Sequence, residues 1–455
     1  MSVVHAVGRG MAWNTAATVT GKFVMLANIF LTLHYLTVYE YGFTELVMSV
    51  ISMMGIVLLP GLTSTVVSDM SVERGREEHM RMSLIFHQHF FLNVILGLTA
   101  WAVLFFGSQP VAELAGNPYA AQFLKLASFI FLIGPLRQAT QVLSTVYMRF
   151  FEQSFYVVFE ELFKLACILV FIVWQGMGIK GLVLSIVLSQ FLAVLSFMPR
   201  TLSAYARLPH VPLAEYFHAW KLLEPHRLWS IGTSHVGTIA TNARLWIIKA
   251  MLGTEAVGLF AFAMGMLSHV SSIVLLSTVL TPVLPRYIDK RDQLVRIVKA
   301  SVKVQLIVSA FLTAAAVAGS SLFVQTVFPK YMPALPIIYI LLLSVIANGV
   351  ATIFTTVFAA HKLQRSLLGS VLFKSLVMLV VLPPSILMFG IVGMGVEVVV
   401  TSFANAGERY RRVKKFLPEL SLGPTSLFKT DAYERQAMQM VTRQARSRLK
   451  AVLRF

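Results

Sequence analysis

The chain has 455 residues, 57% of them hydrophobic and only 13% charged, whereas soluble domains carry roughly 45–50% apolar and about 25% charged residues. A water-soluble fold has no means of hiding that much apolar surface, which excludes the soluble enzyme classes and makes lipid the expected solvent. The formal net charge of +18 does not point to nucleic acid, because basic clusters between apolar spans mark cytoplasmic loops and contacts with anionic headgroups.

Crossing a hydrocarbon core takes roughly 20 mostly apolar residues. In chain order, such stretches predict spans near 11–34, 42–68, 84–107, 120–147, 156–175, 180–198, 229–252, 257–284, 300–324, 333–360, 366–389 and 390–406. The first has no short apolar region followed by a small-residue cleavage site, so it is expected to remain as a span. The last two are separated by almost nothing, so the hairpin at Phe389 and Gly390 must be very tight or the final span re-entrant. The expected division is an N-terminal six-helix lobe over 1–200, a cytoplasmic interfacial linker over 201–228, a C-terminal six-helix lobe over 229–406 and a basic cytoplasmic tail over 407–455.

With the N-terminus inside, one set of loops holds Arg74, Arg76, Arg81, Arg149, Arg200, Arg207, Arg286, Lys290, Arg291 and Arg296, and the opposite set holds only Lys180 and Lys330. This asymmetry places both termini in the cytoplasm. The loops on the translocated side are too short to form the external domain that a glycan polymerase or ligase would use. In the linker, Leu213, Tyr216, Phe217, Trp220 and Leu223 recur at helical spacing and predict an interfacial helix. In the tail, Tyr433, Ala437, Met440, Val441 and Ala445 recur among arginines, as in an amphipathic helix on an anionic leaflet.

The chain also carries a weak internal repeat. Laying the segment from Asn28 over that from Arg244 aligns Leu36–Phe43 with Leu252–Leu259, and Gly42 then meets Gly258, Met48 meets Met264 and Ser52 meets Ser268. Both copies fall at the hairpin between the first and second spans of a six-span half, with the same polarity. Two such halves imply a parallel repeat about an axis along the membrane normal, with a substrate path between the lobes.

The stretches LTVYEYGFTELVMSVISMMGIVLLPGLTS, NARLWIIKAMLGTEAVGLFAFAMGMLSHVSSIVLLSTVLTPVLPRY and VFPKYMPALPIIYILLLSVIANGVATIFTTVFAAHKLQ resemble the polysaccharide flippases of the multidrug/oligosaccharidyl-lipid/polysaccharide exporter superfamily. The resemblance implies two six-helix bundles in a V-shaped, alternating-access transporter. It implies a lipid-linked oligosaccharide as cargo, moved from the cytoplasmic to the outer leaflet, and glycan-assembly proteins as candidate partners. It leaves the glycan open, and a relative that flips the peptidoglycan precursor belongs to the same superfamily.

Basic residues left inside spans are costly unless they face water or an anion. The candidates for a cationic, pyrophosphate-accepting cavity are Arg244, Arg137, Lys22, Lys249, Lys374 and Lys164. Arg137 follows Pro135, which frees a backbone carbonyl, and Arg244 occupies a place where the resembled family carries an arginine. Lys249 also reads as a snorkelling helix-end lysine, and Lys164 as an intrahelical partner of Glu160 or Glu161. Glu161 and Glu397 are candidates for proton or sodium coupling, though Glu397 also reads as a solvated helix end. The rival reading, a multidrug/cation antiporter of the same superfamily, would need such a titrating carboxylate. No P-loop and no Cys/His cluster at metal-ligand spacing is present, so neither ATP, a metal nor another cofactor is expected.

Overall fold

The computed structural model describes residues 3–222, 225–273, 280, 284–288, 290–361 and 363–423, and the tail helix predicted beyond 431 lies outside them. All regular structure among the described residues is helical. In the first half, α1 (Val3–Tyr35) makes one crossing, and α2 (Val38–Met54) continues through a 3-10 turn into α3 (Pro60–Gly75). α4 (His79–Phe106) follows, then the short α5 (Ser108–Leu114), the pair α6 (Ala120–Ser128) and α7 (Ile130–Val146), α8 (Phe150–Ile168) and α9 (Gly178–Tyr205). The linker holds only the single-turn α10 (Leu213–Tyr216) and a 3-10 turn, shorter than the predicted interfacial helix. The second half comprises α11 (Pro225–Leu252), α12 (Thr254–Ser271), α13 (Arg291–Val327), α14 (Leu335–Ala360), α15 (Gln364–Phe389) and α16 (Gly393–Phe416).

Among the described residues, eight stretches are long and apolar enough to cross a membrane by length and composition. One of them, Gln364–Phe416, folds back on itself. At this hairpin Gly390 has φ +58°, and a Cβ on Gly393 would lie 2.0 Å from the Ser385 carbonyl oxygen. Only glycine turns the chain so sharply at that approach, so α16 is a full-length helix antiparallel to α15 rather than a re-entrant stub. α8 fails the composition test because it carries Glu152, Glu160, Glu161 and Lys164, and the polar α11 carries Asn242 and Arg244. Both pack against neighbouring helices, α8 on α1 and α9, and α11 on α15 and α3.

The packing is the same in the two halves. α1 lies on α8 and α8 on α9, as α11 lies on α15 and α15 on α16. α4 lies on α7 and α7 on α9, as α13 lies on α14 and α14 on α16. This is the two-lobe parallel repeat, with six crossings in each lobe. In α7, Pro135 cannot donate to the Phe131 carbonyl, and α4 approaches that oxygen at Gly97, where a Cβ would stand 2.6 Å away.

The lobes meet where α2 crosses α12. The entry to α2 is fixed by a capping box: Glu40 N–H donates to the Thr37 hydroxyl at 3.2 Å, and Thr37 N–H donates to the Glu40 carboxylate at 2.8 Å. One turn further on, a Cβ on Gly42 would come within 2.3 Å of the Thr254 carbonyl oxygen, and one on Gly258 within 2.2 Å of the Val38 carbonyl oxygen. At the two glycines aligned by the repeat, main chain therefore meets main chain across the seam. The adjacent core, with Leu33, Val38 and Leu46 from one lobe and Val257, Phe260 and Tyr331 from the other, runs across the seam. The linker docks on the first lobe instead: the Tyr216 ring stacks on His87 at 5.0 Å, and Phe217 packs on Phe91 at 5.3 Å.

Candidate functional site

Three groups of charged side chains stand out inside the bundle among the described residues. In the C-terminal lobe, Arg244 on α11 reaches Glu397 on α16. Its Nη2 donates to Glu397 Oε1 at 3.1 Å, and its Nε lies 2.9 Å from Oε2. The Thr401 hydroxyl, one turn along α16, donates to the same Oε1 at 2.8 Å. Glu397 is 0% exposed and Arg244 8%, so Glu397 is not a solvated helix end. Lys374 on α15 lies within electrostatic range of Arg244, Glu397 and Arg409, and makes no hydrogen bond or ion pair among the described residues. Arg409 donates to the Ala351 carbonyl at 3.0 Å and to the Thr355 hydroxyl, both on α14, without a carboxylate partner among the described residues. Among the described residues, Lys374 thus lies in the field of two arginines and one carboxylate, and that carboxylate is already paired with Arg244.

The N-terminal lobe has the opposite balance. Arg137 pairs with Glu160 at 3.0 Å and lies over the Tyr156 ring. Glu161 accepts from Asn28 Nδ2 at 2.7 Å and lies 3.8 Å from Lys164, its neighbour one turn along α8. Glu45 accepts from Tyr41 and senses Lys164. Here three carboxylates meet two cations, so the positive charge is answered within the lobe. The Arg137–Glu160 pairing joins residues 23 positions apart, and helical spacing alone could not have found it.

The third group ties the lobes together. Lys22 donates to the Ser272 hydroxyl at 3.1 Å and to its carbonyl at 3.3 Å. Lys249 donates to the Ala115 carbonyl and lies over the Trp246 ring, while Trp246 Nε1 donates to the Ser49 hydroxyl at 2.9 Å. Lys330, expected to be a plain loop lysine, donates to the His34 and Leu36 carbonyls at 2.7 and 2.6 Å, where α1 ends. An ammonium on the last carbonyls of a helix also complements its dipole. Replacing Lys330 by Met is expected to weaken this clasp by about 1.5–3 kcal/mol, observed as faster amide hydrogen exchange at the end of α1. Unchanged exchange would mean that the clasp adds nothing.

Of the residues singled out in the sequence, the structure therefore brings together Arg244, Glu397 and Lys374 in one lobe and Arg137, Lys164 and Glu161 in the other, and sets Lys22 and Lys249 in lobe contacts. Sequence reasoning missed Asn28, Thr401 and Arg409. Asn28 had a signal, because the repeat lays it on Arg244. Between α1, α12 and α13 lies an apolar cavity of about 260 Å³ lined by Phe30, Leu33, Phe262, Met266, Val327 and Phe328.

The class of protein so defined is an all-helical, two-lobed, multi-pass membrane protein with polar groups enclosed by its helices. The family described as "Polysaccharide biosynthesis protein" matches residues 34–336, and the chain belongs to that family. A search of curated proteins returns no match. Among solved structures, an inward-facing multidrug resistance MATE family transporter of the MOP superfamily superposes with a TM-score of 0.72 at 14% identity, covering 88% of this chain and 95% of that one. The lipid II flippase MurJ in an inward closed conformation gives 0.69 at 13%, covering 94% and 96%. A MOP superfamily transporter from Pyrococcus furiosus, described as having a binding pocket of reverse polarity, gives 0.65 at 13%, covering 92% and 96%. These likenesses establish the fold.

Proposed function

We propose that the protein flips a polyprenyl-pyrophosphate-linked oligosaccharide from the cytoplasmic to the outer leaflet of the inner membrane by alternating access, with both termini cytoplasmic. The observation that carries this reading is the excess of positive charge in the C-terminal lobe: among the described residues Lys374 makes no ion pair, Arg409 has only neutral acceptors, and Glu397, the carboxylate within electrostatic range of Lys374, is already paired with Arg244. Enclosed cations of this kind are costly unless an anion answers them. A pyrophosphate supplies such an anion, and Arg244 and Lys374 offer a planar fork and a point charge to its oxygens. The apolar cavity between α1 and α12 suits an isoprenoid tail that stays at the lobe boundary while the headgroup passes inside. The basic residues beyond α16 suit an anionic cytoplasmic leaflet, where each contributes about 1 kcal/mol, and glycan-assembly proteins are candidate partners on the same face.

The test is flipping of a fluorescent undecaprenyl-pyrophosphate saccharide in proteoliposomes at equal amounts of folded protein. Arg244→Ala is expected to lose tenfold or more of the rate, since a charge-assisted contact is worth about 1.5–3 kcal/mol. Arg137→Ala, in a cluster where carboxylates outnumber cations, is expected to lose less. Equal rates in wild type and Arg244→Ala would remove the C-terminal lobe from the path. Uptake of small cations in place of any glycan, abolished by Glu161→Gln, would favour the antiporter reading for which the N-terminal carboxylates provide the chemistry.

A further inference from the structure

Glu397 has no solvent and few partners. Among the described residues its carboxylate touches only Arg244 and the Thr401 hydroxyl, and the ion pair is only half satisfied: Arg244 Nε and Glu397 Oε2 face each other at 2.9 Å, yet both are buried without an aligned hydrogen bond. The surroundings supply little else. α14, packed along α16, has Tyr339 as its one ionisable side chain. α15, on the other side, supplies Lys374, while its Arg365 is held over the Trp229 ring. On α11, Lys249 is held by Ala115 and His235 faces the Ile56 backbone, both toward the N-terminal lobe. The other charges of α16 begin at Glu408, and Arg409 lies about 18 Å further along the axis at 1.5 Å per residue, tied to α14.

We infer that Glu397 couples anion binding to protonation: an anion that engages Arg244 and Lys374 displaces the carboxylate, which then takes up one proton from the solvent that enters with the anion. The inference rests on the reading that the C-terminal lobe receives an anionic headgroup. Once those two cations are drawn to the anion, Glu397 keeps only the Thr401 hydroxyl. A carboxylate at 0% exposure without a cation in contact is stable only in its neutral form. No bond to the ligand forms and no electron moves; the proton adds to a carboxylate oxygen, and Thr401 stays within reach of the resulting carboxyl. When the anion leaves, Arg244 returns to Glu397 and the proton is released. Headgroup and proton therefore load and unload together.

By reciprocity, an anion that raises the proton affinity of Glu397 must itself bind more tightly as pH falls. The probe is the geranyl methyl diester of pyrophosphate, whose charges stay fixed between about pH 6 and about pH 8, so any proton taken up belongs to the protein. Titration calorimetry of the full chain in detergent, in two buffers of different ionisation enthalpy, counts the protons. Wild type is expected to take up close to one proton per bound anion in the range where the coupling operates, and its affinity to fall by up to about tenfold per pH unit. Glu397→Gln keeps an acceptor for Arg244 and is expected to bind the diester with no proton uptake and a flat pH profile. Binding without proton uptake by wild type, which needs no variant, overturns the inference and leaves the anionic-headgroup reading standing. So does undiminished uptake by folded Glu397→Gln. Failure of wild type to bind the diester at either pH overturns both.

Discussion

Replacing Gly258 by valine is expected to force the two lobes apart at the α2–α12 seam. Even the Cβ alone would lie 2.2 Å from the Val38 carbonyl oxygen and 3.1 Å from its carbonyl carbon, and these are backbone atoms that cannot turn aside as a side chain can. Overpacking of this kind costs about 1–3 kcal/mol where side chains relax; here relief requires movement of a whole helix, and the added γ-methyl groups enlarge it. Gly42→Val meets the same obstacle from the other side, at the Thr254 carbonyl. Spin labels at the exposed residues Tyr39 and Glu255, in a background where the one cysteine, Cys167, is serine, would read the separation directly. A longer or broader distance distribution is expected for either valine variant, with transport lost because the seam no longer closes. An unchanged distribution would mean that the helices shift locally and that the glycines do not set the lobe contact. The clasp at Lys330 bears on the same seam, so Lys330→Met and Gly258→Val should not add independently.

The second large effect lies at Glu397. Truncation to alanine leaves the Arg244 guanidinium, 8% exposed, with no carboxylate in reach. Removing one member of a buried ion pair costs about 3–5 kcal/mol, most of it the penalty for the stranded charge. Glu397→Ala should therefore unfold at markedly lower temperature in detergent than Thr401→Val, which removes one hydroxyl donor. Removing Arg244 as well should recover part of the loss, since the double variant strands nothing. A double-mutant cycle on thermal stability measures this coupling. If the single and double variants were equally unstable, the pair would not be what holds α11 to α16.

How much of this was legible in the sequence follows from distance along the chain. The spans are legible because apolar length is a local property, whereas the α15–α16 hairpin is only half legible, since a glycine between two apolar runs allows either a very tight turn or a re-entrant span. The pairing of Lys164 with Glu161 was also legible, being one helical turn apart. Arg244 and Glu397 could each be marked as a charge that must be answered, but not as answering each other: 153 residues separate them, and the cost of burying a charge does not say which helix supplies its partner. Lys22 and Lys249 were indistinguishable from cavity lysines for the same reason, since their acceptors are a serine and a backbone carbonyl in the other lobe. Arg409 was read as part of the basic tail, because α16 extends past the predicted end of the last span and carries it against α14.

The meeting of Gly42 with Gly258 has a bearing on descent. If the two halves arose from one six-span unit that paired with a copy of itself, the seam would have been an isologous contact in which one residue faced its own counterpart across the dyad. A single codon then governed both sides, and any enlargement would have been felt twice. Once the halves are joined in one reading frame each side can vary alone, yet neither position gains freedom, because each glycine is confined by the backbone of the other half rather than by a side chain that could shrink to accommodate it. On that account the two halves have diverged at their enclosed charges, where Arg137 meets Glu160 within one lobe and Arg244 meets Glu397 within the other, and have stayed alike where main chain meets main chain.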